Sequence, residues 1–280
     1  MTGRLVAAAA AALALMLAGC GGGGEDAVPV TTATTPTIER LRISFPEGFT
    51  TRQMAVRVAE VRRIAIAKRG VTPRLTRARY LAAVASALPP RPFQKDWQRG
   101  SLEGFLFPAL YEFSQYTTGK ELVEDQLAAF RRRFATLDLR YARSKNLTPY
   151  DVLRIASMIE KETVAPKERK LVSAVIYNRL RNRMPLGIDA TIRYGLNIPG
   201  TRSLTKAALR SGNPYNSRRF PGLPPTPIAS PGLASLRAAA HPAKVDYLYY
   251  VRIPGTQRHF FTASESEFLR KVCQFGYACS

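Results

Sequence analysis

Apolar residues recur along most of this chain at three- and four-residue intervals and alternate in only a few short runs, which predicts a helix-rich α+β protein with small sheet elements. The clearest helical run is Thr148–Glu168, TPYDVLRIASMIEKETVAPKE. Thr148 can cap a helix, and Pro149 suits the first helical position, where its missing N–H costs nothing. Asp151 stands three residues after the cap, where a carboxylate favours exposed backbone amides. Val152, Ile155 and Ile159 then share one line, and Glu162 continues it three residues later. Glu160 lies roughly 160° around the helix from Glu162, at about 100° per residue, so the two acids serve different surroundings.

The remaining elements follow from the same pattern. Glu39–Phe45 reads as a strand, ending in the turn Phe45-Pro46-Glu47-Gly48. Thr50 caps a helix over Thr51–Ile66 with Met54, Val58 and Val61 on one side, and Thr76–Leu88 is a second helix stopped by Pro89-Pro90. Lys120–Ala142 reads as one long basic helix with Leu122, Leu127, Phe130 and Phe134 inward; Arg131, Arg132 and Arg133 form a solvated face. Lys167–Arg181 is another helix, with Asn178 at the margin of its apolar stripes, where a buried amide must find backbone or ligand partners. Helical periodicity fades after Met184. A short helix at Leu204–Leu209 leads to two stretches rich in proline and glycine, 211–217 and 220–228, suited to a rigid loop bearing a binding surface. Pro231-Gly232 opens a helix to Ala240, Tyr247–Val251 pairs with His259–Phe261 as a hairpin, and Glu265–Lys271 is a last helix.

Composition adds a location. Arg4 precedes the apolar run Leu5–Met16, which ends Leu17-Ala18-Gly19-Cys20, an order that looks like the lipobox of a bacterial lipoprotein. Residues 1–19 are thus expected to be an export signal or membrane anchor, and 20–38 a lipidated Cys20 with a flexible Gly- and Thr-rich tether. The alternative is an ordinary Cys20 behind a secretory or poorly defined membrane segment. Either way the bulk of the chain is expected outside the cytoplasm, and with an anchor it lies at the extracytoplasmic face of the cell membrane, lipid-anchored or single-pass. It divides into a small lead-in subdomain, 39–100, and a main domain, 101–280.

Cys273 and Cys279 can close a small disulfide loop in an oxidising compartment. Cysteine spacing offers no metal site, and His241 and His259 are the two imidazoles of the chain, which disfavours a metal mechanism, although carboxylates alone can bind hard cations. The net charge of +22 suggests anionic surroundings. For an exported chain these are phospholipid head groups and wall polymers rather than nucleic acid.

Two acids stand in apolar surroundings. Glu162 at the end of its apolar line would have its pKa pushed up by a cleft, which suits a general acid; the bland reading is a solvated helix end. Glu103, in Leu102-Glu103-Gly104-Phe105-Leu106-Phe107-Pro108, sits either at the end of an aromatic, sugar-stacking wall or in ordinary core.

The motifs Pro46-Glu47-Gly48, Glu103-Gly104 through Phe107-Pro108, Ile155–Thr163, Val175–Leu180, Met184–Tyr194, Asn213-Pro214-Tyr215-Asn216, Gly222–Ile228, Pro231-Gly232 and His241-Pro242 through Val251 occur in an order that resembles the endolytic murein transglycosylases. The resemblance covers roughly Ser44 to Ala263. It implies a lysozyme-like catalytic domain, Glu162 as the catalytic residue, and endolytic, non-hydrolytic cleavage of nascent uncrosslinked peptidoglycan at the β-1,4 MurNAc–GlcNAc bond, leaving 1,6-anhydro-muramyl ends. Glu103, Asn178, Asp189, Thr191, Tyr194, Tyr215 and Asn216 fall in family motifs and are candidates for positioning glycan or bracing Glu162; for each a structural role is as plausible. Glycan strands, the membrane and wall-synthesis enzymes are the implied partners, and the reaction scheme implies no cofactor. Most of the family's usual N-terminal LysM-like module is expected to be missing, and Ser217-Arg218 stands where the family usually has Thr-Tyr. Two alternatives stay open: a non-catalytic peptidoglycan-binding lipoprotein, and a glycan hydrolase in which Asp189 or Glu103 directs a water.

Overall fold

The structure is a computed structural model that describes residues 38–97, 101–163 and 165–277. Three of its helices begin with the same local device. In α1 (Thr51–Arg69), α3 (Gly119–Phe134) and α5 (Pro149–Glu162) a threonine hydroxyl accepts from a backbone N–H three residues on. The side chain at that position reaches back to the threonine's own N–H. The pairs are Thr50 with Gln53, Thr118 with Glu121, and Thr148 with Asp151. Each satisfies donors that a helix start leaves unpaired.

The described chain is a helix-dominated α+β domain with two small antiparallel sheets, the class expected from its pattern. Strand β1 (Arg40–Ser44) pairs with β2 (Leu110–Ser114), Arg42 opposite Glu112, so the strand ahead of α1 is completed from beyond residue 100. Between them lie α1 and α2 (Arg77–Ser86). The second sheet is the hairpin of β3 (Tyr249–Arg252) and β4 (His259–Thr262), with Tyr250 opposite Phe261.

The expected long basic helix is in fact two. It stops at Phe134, and α4 (Arg140–Ser144) starts afresh. The cause is local: the Asp138 carboxylate accepts the Arg140 backbone N–H at 2.9 Å and its guanidinium at 2.6 and 2.8 Å. A side chain that bonds nearby backbone offers the chain an alternative to the helix. The Arg140 bonds also hold the Asp138 carboxyl down at about 2.

Helix α5 is the centre of the core. Its buried residues are not one stripe: Val152, Leu153, Ile155, Ala156, Met158 and Ile159 are all fully covered. The covering elements are α6 (Arg169–Arg181), α7 (Asp189–Gly195) and α9 (Leu233–Ala240). Burying each large side chain contributes about 1.5–3 kcal/mol. The aromatic residues after Glu103 belong to this core. Phe105 packs edge-on against Phe93 and Phe130 and stacks on Tyr150, and Phe107, Tyr111 and Phe113 are buried as well. They fill space and do not form an open sugar-stacking wall. Two further α-helices, α8 (Lys206–Leu209) and α10 (Glu265–Gln274), and 3-10 turns at Arg91–Phe93 and Pro166–Glu168 complete the secondary structure of the described residues. Where the periodicity fades, the chain nevertheless forms α7.

Among the described residues no helix is long and apolar enough to cross a membrane. Cys20, the signal and the tether lie outside the described residues. Cys273 is disulfide-bonded, and its expected partner Cys279 also lies outside them.

Candidate active site

The last turn of α5 emerges from the core carrying Glu160, Lys161 and Glu162, and each has a separate fate. The Glu160 carboxylate accepts the backbone N–H of Gly232 at 2.9 Å, at the start of α9. Glu47 crowds the same point: a Cβ on Gly232 would meet its carboxylate at 1.8 Å, so only glycine fits. Lys161 is exposed and its Nζ donates to the Gly48 carbonyl at 3.3 Å. These contacts knit Pro46-Glu47-Gly48 and Pro231-Gly232 to α5 and leave Glu162 pointing elsewhere.

Glu162 is half-buried, and its Oε2 accepts the hydroxyl of Tyr250 at 3.0 Å. Burial pushes its pKa above the ordinary carboxylate value. The Tyr250 hydrogen bond opposes that rise, the charge of Asp189 adds to it, and His259 and the Ala190 backbone N–H oppose it. The surroundings of the carboxyl therefore come from four elements: the end of α5, the first turn of α7, β3 and β4. A raised pKa with access to solvent is the condition a general acid needs near neutral pH.

The hairpin that supplies Tyr250 is pinned to the helices at several points. Asn178 Nδ2 on α6 donates to the carbonyls of Val245 and Tyr247, at 2.9 and 3.0 Å. Arg179 Nε donates to the Leu248 carbonyl at 2.6 Å, and its guanidinium lies over the Tyr249 ring. The buried Glu168 carboxylate accepts the His259 backbone N–H at 3.0 Å and meets its ring Nδ1 at 2.7 Å. The His259 ring in turn stands edge-on to Tyr250, 5.4 Å between centroids.

The other expected residues divide into two groups. Asp189 opens α7 beside Glu162 and forms an ion pair with Arg218, Nε–Oδ1 2.8 Å. Thr191 is fully buried and its hydroxyl donates to the Ile188 carbonyl and to Ser217 Oγ, which in turn accepts the Ile188 N–H. Asn216, also buried, donates to the carbonyls of Leu209 and Ser211 and accepts the Arg218 N–H. Both residues, with Ser217 and Arg218, shape the loop that supports the start of α7.

The second group gathers at the far end of α7. Glu103 is 4% exposed. It accepts the Thr51 N–H at 3.1 and 3.2 Å and the Tyr194 hydroxyl at 3.2 Å. Burial pushes its pKa up to about 7 against those donors. Tyr215 packs edge-on against Tyr194 and its hydroxyl bonds to Thr226 at 2.7 Å. Glu103, Tyr194 and Tyr215 thus form a network one helix-length away from Glu162.

Sequence reasoning missed Tyr250 and His259 as neighbours of Glu162, and Glu168 as the partner that holds His259. Tyr250 read only as a strand residue, and His259 as part of its hairpin partner. The one available signal was the three tyrosines Tyr247, Tyr249 and Tyr250 in a strand that ends a matched motif. Among the described residues no group of His, Cys, Asp and Glu side chains is arranged to hold a metal ion. A surface groove of about 610 Å³ between β1 and α1 is lined by Arg40, Leu41, Arg42, Val61, Ile64, Ala65, Lys68, Arg69 and Glu112, none of them part of this site.

Comparison with known proteins accords with the order of the motifs. The chain is 30% identical over 245 residues to an endolytic murein transglycosylase of Streptococcus pneumoniae, covering 83% of this chain and 44% of that one. It is 35% identical over 150 residues to an endolytic murein transglycosylase of Bacillus subtilis, covering 54% and 41%. The chain spans less than half the length of these curated relatives. A crystal structure of a yceG-like protein from Listeria monocytogenes superposes with a TM-score of 0.69 at 26% identity, over 82% of this chain and 76% of that one. The shared architecture is a helix-rich, lysozyme-like α+β domain with reduced sheet. The model of the YceG-like family matches residues 25–274, and the chain belongs to that family.

Proposed function

We propose that the protein is a peptidoglycan lytic transglycosylase that cleaves the β-1,4 MurNAc–GlcNAc bond within nascent, uncrosslinked strands, with Glu162 as acid and then base. The observation that carries this reading is the half-buried Glu162 carboxyl at the end of α5, its pKa raised by burial and its Oε2 held by a phenol. The reaction requires one such group. Protonated Glu162 gives its proton to the glycosidic oxygen as the bond to the muramyl anomeric carbon breaks. The resulting carboxylate takes the proton of the muramyl 6-hydroxyl while that oxygen closes on the anomeric carbon. The product carries a 1,6-anhydro ring, no water is consumed, and Glu162 regains its proton.

A glycosidase pair would need a second free carboxyl. Glu103 is buried among its own donors and Asp189 is paired with Arg218, which supports the one-carboxyl scheme over hydrolysis. Asn178, Thr191 and Asn216 act in this reading as braces, through the backbone bonds described above. We place the enzyme at the extracytoplasmic face of the membrane, tethered through Cys20, with the segment 39–100 as lead-in to the catalytic domain and wall-synthesis enzymes as neighbours.

The test is to incubate the full chain, wild type and Glu162→Gln, with uncrosslinked glycan strands and measure product masses. Anhydro ends that vanish in the variant are expected. Reducing ends would establish a hydrolase, and equal activity in both proteins would remove Glu162 from the chemistry.

A further inference from the structure

We propose that Tyr250 is the positioning residue of this site: its hydroxyl fixes the Glu162 carboxyl and meets the negative charge that develops there when the proton leaves. The inference rests on the reading of Glu162 as the acid and base.

The geometry is specific. The phenol donates to Oε2 at 3.0 Å, and the Ala190 backbone N–H is the carboxyl's other donor. Tyr250 is no competing acid, because burial and the adjacent Glu162 hold its own pKa well above the usual phenol value. It is therefore a fixed donor throughout the cycle. A hydrogen bond to an ionised acceptor is roughly twice as strong as one between neutral groups. The bond strengthens as Glu162 loses its proton, so it favours the transition state over the ground state. The hairpin's attachments set its length: Arg179 holds the Leu248 carbonyl, two residues before Tyr250, and Glu168 holds His259 against the Tyr250 ring. The charged and titratable groups facing this pair are Asp189 from α7, His259 from β4 and Arg179 from α6.

Tyr250→Phe keeps the ring and removes the hydroxyl. On uncrosslinked strands its kcat is expected to fall about 10–100-fold, the scale of one hydrogen bond to a charged group, with KM within about twofold. The alkaline limb of its kcat–pH profile should move to higher pH, since the carboxylate has lost its donor. Replacing Tyr250 by 3-fluorotyrosine, a more acidic phenol, should move the same limb to lower pH. A raised KM with unchanged kcat and pH profile would make Tyr250 a substrate contact and overturn the proposal. So would an unchanged profile in both variants, which would leave Tyr250 as packing alone. Glu162→Gln serves as the control. If it is inactive while Tyr250→Phe behaves as wild type, only this inference fails; if it is active, the reading of Glu162 fails first.

Discussion

Two glutamates stand near opposite ends of α7, and their surroundings differ. Glu103, beside Tyr194, is almost fully covered and surrounded by donors from the start of α1 and from Tyr194. Glu162, beside Asp189 and Ala190, is half exposed and held by one phenol and one backbone N–H. Burial raises both carboxyls, so a raised pKa alone does not distinguish a catalytic acid from a structural one. What differs between the two is access and the number of partners. Glu160, two residues before Glu162, makes the same point from the other side, since its carboxylate is committed to the start of α9.

The sharpest test of this contrast is catalytic. Glu162→Gln should reduce the rate of anhydro-product formation by about 10²–10⁴-fold, the usual contribution of a general acid or base, while Glu103→Gln stays within a few-fold of wild type. Similar losses in both would dissolve the distinction.

The pH dependence of stability comes next. The folded pKa of Glu103 is about 7 against an ordinary 4.5, so between those values the folded state binds the extra proton. Stability therefore falls as pH rises from about 4.5 to about 7 and then levels, by on the order of 3 kcal/mol for this group. Denaturant titrations at a series of pH values should show a slope in that window that is clearly smaller in Glu103→Gln.

A smaller effect is expected at the neighbouring glycine. Gly104 has φ +87°, and an added Cβ would lie 2.6 Å from Pro227. Gly104→Ala should cost about 1–3 kcal/mol in thermal or chemical unfolding, yet leave kcat of the folded fraction near wild type. A selective loss of kcat would mean that the Glu103 region is coupled to the chemistry.

The mildest change concerns Asp189. Its charge helps to hold the Glu162 pKa up, so Asp189→Asn should move the alkaline limb of the kcat–pH profile to lower pH. A shift to higher pH, or none, would show that Asp189 does not act on Glu162 through its charge.

The starts of α1, α3 and α5 were legible because a capping box involves residues three apart and needs nothing from the rest of the molecule. The same local chemistry gave Glu162 its place at the end of an apolar line. The break at Asp138 was missed because a hydrogen bond to Arg140 overrode an amphipathic pattern that continued through it. Asn178 read as a margin amide in need of partners, but which partners depended on a segment 67 and 69 residues away.

The sequence by itself therefore determined where helices start, which faces seek burial and which acid continues the apolar line of α5. Tertiary structure alone decided that Phe105 and its neighbours are core, that Glu103 is enclosed while Glu162 is accessible, and that Tyr250, 88 residues from Glu162, supplies its hydrogen bond. The physical reason is one of range. Caps and periodicity act over one turn of helix, whereas desolvation and a carboxyl's donors depend on which distant segments pack around it.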